Sequence, residues 1–150
     1  MGGQERGRLS KSGIRKIAKR IESALKSVRL KEWQKACKGF APIHYKAQTR
    51  KQWLASNIFR LDAAREIVGF VDSWTTKLKQ EDSFKPCSIT AIRNIIILAV
   101  RSRQEKLGMD LGKLNPVKLG GFRTLIKWAD NRDLLADRST KAIKPHSNFK

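Results

Sequence analysis

Ten Lys or Arg residues stand between Arg6 and Lys31, with a single acid, Glu22, among them. Cations at that density suit one kind of chemistry, the neutralisation of phosphates. Each neutralised phosphate releases condensed counterions, which gives an affinity that ignores base sequence and decays steeply with salt. The residues expected to do this are Arg6, Arg8 and Lys11 at the N-terminus, then Arg15, Lys16, Lys19, Arg20, Lys26 and Arg29, and finally Lys46, Arg50 and Lys51. An ordinary solvated helix face would intersperse acids among such bases.

The whole chain of 150 residues has 33 Lys and Arg against 13 Asp and Glu, a formal charge of +20. Residues 1–60 hold 16 bases and 3 acids, so the N-terminal two-fifths is the expected contact surface. Self-repulsion of this size is normally tolerated because a polyanion neutralises it.

Other chemistry finds little foothold. His44 and His146 stand apart from carboxylates and cysteines at any helical metal-site spacing, and Cys37 with His44 would need two further ligands to hold zinc. Cys37 and Cys87 fit no CxxC pattern and read as plain thiols of a reducing compartment. No phosphate-binding glycine loop, nucleophile elbow or HExxH occurs, so the chain is expected to be no enzyme and to need no cofactor or metal. Asp130, Asp133 and Asp137 fall at i, i+3 and i+7. That strip reads first as a solvated face, next as a contact for the basic segment of a neighbouring subunit, and last as a metal-dependent nuclease site. Trp33, Trp53, Trp74 and Trp128 all lie within helical patterns and read as packing residues; one exposed beside the bases would instead stack on them.

The elements that must position these cations are helical. Residues 1–11, with three glycines and no apolar periodicity, read as a disordered basic arm. Ser12 is a candidate cap for a helix carrying Ile14, Ile17, Ile21, Leu25 and Val28, continuing through Leu30, Trp33 and Cys37 to a stop at Gly39. A second helical stretch starts near Lys46 or Thr49 and runs to Leu78 as one helix or two, with Gly69 marking a bend or a close helix contact. After a polar loop over 80–86, Ser88 caps a helix from Ile89 to Leu107, closed by Gly108 and so rich in isoleucine that it should be central and buried; a strand is the minority reading there. Met109 to Gly121 reads as a connector with room for one short helical turn, Phe122 to about Ala136 as the last helix, and 137–150 as a basic tail. The expected fold is therefore all-α, a small bundle of four to five helices in one domain over residues 12–136.

The stretch FRTLIKWADNRDLLADRSTKAIKP, Phe122 to Pro145, resembles the last helix and exit of the core-binding domain of tyrosine recombinases, where an apolar helix ends in a Trp-Ala pair, here Trp128-Ala129. The usual Asn-Pro after the turn is absent, and no Arg/His/Tyr set for cutting DNA is present, so the resemblance implies a DNA clamp only. The expectation favoured by charge is a packaging protein, coating DNA or RNA as many copies in the manner of a nucleocapsid or nucleoid protein and associating with itself along the polymer, within a cell or a virion. A ribonucleoprotein component fits the same charges. A basic helix lying on an anionic membrane is less favoured, because residues 12–28 carry no Trp or Phe. The longest apolar run, Ile95 to Val100, is far below the ~20 residues of a membrane span. Myristoylation at Gly2 is not expected, since Arg6 stands where the motif wants Ser or Thr.

Overall fold

The structure is a computed structural model that describes residues 10–39, 50–109 and 112–131. Residues 1–9 of the expected arm over 1–11 and the tail over 137–150 lie outside the described residues, while Ser10 and Lys11, the last two residues of that arm, belong instead to the start of the first helix. Within them the chain is all-helical, with no strand, and forms a small bundle of six α-helices: α1 Lys11–Ala24, α2 Leu30–Cys37, α3 Arg50–Ser56, α4 Leu61–Lys79, α5 Ile89–Lys106 and α6 Pro116–Asp130.

Helix α1 is capped by Ser10, two residues earlier than expected. Ser10 has extended backbone angles and its Oγ accepts from the Gly13 N–H at 3.1 Å, which leaves Ser12 inside the first turn. The first apolar stretch is also two helices, not one. A 3-10 turn over Leu25–Ser27 is followed by Val28 in an extended conformation, and α2 restarts at Leu30. The break changes the direction of the chain, so that Leu30, Trp33, Ala36 and Cys37 are buried as well as Ile17, Ile21 and Leu25. Gly39, at φ +68°, ends α2 as expected.

The second stretch likewise divides, at Asn57 and a 3-10 turn over Ile58–Arg60. Helix α4 then buries Ala64, Ile67, Val71, Thr75 and Leu78 at i+3/i+4 intervals. The Thr75 hydroxyl donates to the Val71 carbonyl at 2.6 Å, so its burial leaves no orphan. Gly69 makes no close helix contact, for nothing stands within 4 Å of where a Cβ would be.

Helix α5 follows the expected caps, with Ser88 Oγ accepting from the Ala91 N–H at 3.0 Å and Gly108 at φ +75° beyond the end. It is not the centre of the bundle. That place belongs to α4, which packs on α2, α5 and α6, while α5 lies between α1 and α4. Ile92, Ile96, Ile97, Ala99 and Val100 are buried, but Leu98 on the outer face is 56 % exposed. The isoleucines cover two flanks and leave the third to solvent.

The last helix begins six residues before Phe122. Asn115 is its cap, its Oδ1 accepting from the Lys118 N–H at 3.0 Å, and Pro116 occupies the first turn, where the missing N–H costs nothing. Gly120 and Gly121, which read as connector residues in sequence, lie inside it. It is helical to Asp130 and ends at its C-cap Asn131, short of the expected Ala136; residues 132–136 lie outside the described residues. Ahead of it, Gly112 at φ +68° packs on the end of α2: a Cβ there would stand 2.5 Å from the Lys38 backbone nitrogen and 2.9 Å from the Gln34 carbonyl oxygen.

Candidate nucleic-acid interface

One face of α1 is buried through Ile17 and Ile21. At 100° per residue the opposite face carries Lys11, Arg15 and Lys19 in one row, i, i+4 and i+8, over about 12 Å of axis, with Lys16 beside it and Lys26 on the 3-10 turn that follows. All five are exposed. None of the five forms an ion pair within the described residues.

Two charged residues on the same helix behave differently. Arg20 donates through both terminal nitrogens to Glu81, at 3.0 and 2.8 Å, and its guanidinium lies 5.5 Å from the centroid of Trp74, which Lys77 also faces at 4.6 Å. The hydrogen bond from Arg20 pulls the Glu81 carboxyl below the ordinary range, and the same bond raises the pKa of Arg20. Arg20 is therefore a clasp between α1 and the turn after α4. Glu22, the one acid within the basic stretch, pairs with Lys106 of α5 at 2.7 Å.

Beyond α1, Lys26 and Arg29 join Lys31 and Arg103 around a groove of about 400 Å³ floored by Leu25, Leu30 and Met109. Glu32 is the only acid on its rim among the described residues. Arg50 and Lys51 lie on α3, whereas Arg6, Arg8 and Lys46 fall outside the described residues. Of the expected site, the structure thus brings together Lys11, Arg15, Lys16 and Lys19 on α1, and joins Lys26, on the turn that follows, to Arg29 along the groove.

The strip of aspartates is only partly described. Asp130 accepts from Arg65 of α4 at 2.7 Å, both side chains about half exposed, so this carboxylate already has a partner in its own chain. Asp133 and Asp137 lie outside the described residues. Among the described residues no three His, Cys, Asp or Glu side chains gather as a metal site. Cys37 and Cys87 are free and buried, and burial pushes the Cys37 thiol up to about 12.

Several cations serve the fold. Arg60 donates from Nε to the Ala36 carbonyl at 2.9 Å and from Nη2 to the Lys38 carbonyl at 3.0 Å, and Lys118 Nζ reaches the Cys37 carbonyl at 2.7 Å. Together they satisfy the last carbonyls of α2, where positive charge also suits the helix dipole. Lys79 Nζ does the same for the Lys85 and Cys87 carbonyls, each at 2.7 Å. Arg123 forks onto Asp72, joining α6 to α4.

Sequence reasoning missed two features. Lys31, Lys35 and Lys38 follow α1 as exposed bases at i, i+4 and i+7, a spacing that was visible in the chain. Phe59 was not legible as a surface residue, yet it is 60 % exposed, because the 3-10 turn over Ile58–Arg60 turns it outward. Three tryptophans pack: Trp33 is fully buried and donates from Nε1 to Glu66, while Trp74 and Trp128 lie against the core; the side chain of Trp53 lies outside those described.

Comparison of the chain with protein-family models, curated proteins and solved structures finds no match in any of the three.

Proposed function

We propose that this protein binds nucleic acid without catalysis, through phosphates and without regard to base sequence, and that it acts in many copies to package the polymer. One observation carries the reading, the way charge is sorted over the surface. Nine acids occur in the described segments, and six of them, Glu22, Asp72, Glu81, Asp82, Glu105 and Asp130, are engaged by cations of the chain itself. Glu66 is occupied by Trp33. The excess of positive charge is left on the outer row of α1 and around the adjoining groove, where it acts as an electrostatic footprint for a polyanion.

A row with the repeat of a helix meets successive phosphates and no base edges, so the binding it provides is general. DNA and RNA present the same phosphates to it. Packaging follows from chemistry that needs no particular site, since each molecule bound leaves the next stretch of polymer equally attractive. Self-association along the polymer and a location in a cell or a virion belong to the same proposal. No helix of the described residues is long and apolar enough to cross a membrane.

The test is a titration of fluorescent duplex DNA, duplex RNA and single strands of several lengths at several salt concentrations, with particle size followed throughout. Packaging requires stoichiometric, length-dependent and salt-steep binding that grows into large particles. Preference for one short duplex site would favour the recombinase-like clamp, and flotation with anionic vesicles in place of nucleic-acid binding would favour a membrane surface.

A further inference from the structure

The Arg29 side of α2 borders a second recess, of about 260 Å³, lined among others by Arg29, Glu32, Lys35, Phe59 and Asp62. Arg29 and Glu32 line both this recess and the groove below α1, so the basic surface of α1 continues into it. At its edge stands Phe59, an aromatic ring that remains 60 % exposed.

That ring is held. The Arg60 guanidinium carbon lies 4.3 Å from its centroid, and Arg60 is itself fixed by the Ala36 and Lys38 carbonyls and by Asn57 Oδ1. An aromatic displayed beside cations and locked by a stacked arginine is the arrangement on which unpaired bases stack, because every base has a π-face. The charges of the recess fit a base better than a phosphate. The carboxylates of Glu32 and Asp62 repel phosphate oxygens and accept N–H groups from a base edge, whereas Arg29 and Lys35 suit the phosphates on either side.

Building on the phosphate-binding reading, we infer that Phe59 is a base-stacking residue and that the preferred polymer is single-stranded, with the backbone running from the α1 row past Arg29 to Lys35. A paired base inside a duplex cannot reach the ring without leaving its stack, so the contribution of Phe59 belongs to single strands alone.

The experiment compares wild type, Phe59→Ala and Phe59→Trp for binding to a mixed-sequence single-stranded DNA, an abasic strand of equal length and the corresponding duplex, at one salt concentration and then across a salt series. The expected result is a loss of about tenfold or more for Phe59→Ala on the single strand, no change on the abasic strand or the duplex, the same salt slope, and retention by Phe59→Trp. Wild-type affinity of Phe59→Ala for the single strand, with salt-steep binding intact, overturns the stacking inference and leaves phosphate binding standing. An equal loss on single strand and duplex overturns it too. Failure of the wild-type protein to bind any of the three at physiological salt overturns both.

Discussion

Arg20 and Glu81, 61 residues apart in the chain, meet as a fork of two hydrogen bonds at 3.0 and 2.8 Å, while Lys19, the neighbour of Arg20, points away from the core with no ion pair among the described residues. Adjacent bases of one helix therefore have different duties, and the difference can be measured. Arg20→Gln is expected to lower stability by up to about 1 kcal/mol, the size suited to a part-exposed pair, and to leave the salt dependence of binding nearly unchanged. Lys19→Gln should leave the melting temperature alone and reduce the slope of log K against log salt by about 0.9 on duplex DNA or 0.7 on single strands. Thermal denaturation and a salt series on both variants check this.

The Arg20–Glu81 clasp also has a pH sign. Because Glu81 titrates below its ordinary range in the folded protein, its contribution is present above the unfolded carboxylate value and is lost as pH falls through the lowered folded value. In acid denaturation, Glu81→Gln should narrow the stability difference between pH 6 and pH 3 relative to wild type. An unchanged difference would show that the clasp contributes nothing.

Cys37 gives the opposite end of the scale. Its folded value of about 12 lies well above the value of 9.0 for a free thiol, so the stability it confers is complete below about pH 9 and is lost as pH rises toward 12. Cys37→Ala should flatten that alkaline decline relative to wild type in denaturant titrations. At pH 8 a thiol reagent should label Cys37 at the rate of unfolding.

Three glycines should respond differently to alanine. Gly69 faces open space in the middle of α4, so Gly69→Ala is expected to stabilise by about 0.5–1 kcal/mol. Gly108 has φ +75° but free surroundings, and its alanine variant should cost about 1–2 kcal/mol for the left-handed conformation alone. Gly112 combines φ +68° with the Lys38 backbone 2.5 Å from any Cβ, so Gly112→Ala should be the worst of the three. Chemical denaturation ranks them.

Ile96 is fully buried on α5. Ile96→Asp places an unpaired carboxylate there at a cost of several kcal/mol, and the variant should lose its cooperative melting transition by circular dichroism. A folded Ile96→Asp would show the packing of α5 to be wrong.

Helices were legible in the sequence wherever a local device ends them. Ser88 and Gly108 bracket α5 and Gly39 closes α2 as their residue types require. The breaks at Leu25–Ser27 and Ile58–Arg60 were not legible, because apolar spacing runs through both and only packing decides where the chain turns. The start of α6 was hidden by Gly120 and Gly121, although Asn115-Pro116 is itself a cap signature. Among the candidate contacts, Arg15 and Lys19 could be read from helical spacing, whereas Lys11 was assigned to the arm because Ser12 and not Ser10 read as the cap. The diversion of Arg20 to Glu81, and of Glu22 to Lys106 across 84 residues, could not, since neither pair shares a local pattern. The exposure of Phe59 was not legible either, since it depends on the turn over Ile58–Arg60.

The most direct test of phosphate binding by α1 is the salt dependence of polymer affinity for wild type and for a variant with Lys11, Arg15, Lys16 and Lys19 all changed to Gln. The expected result is a steep wild-type slope that falls by about three units in the variant, with melting behaviour unchanged. A variant that stays folded and keeps the wild-type slope would contradict it.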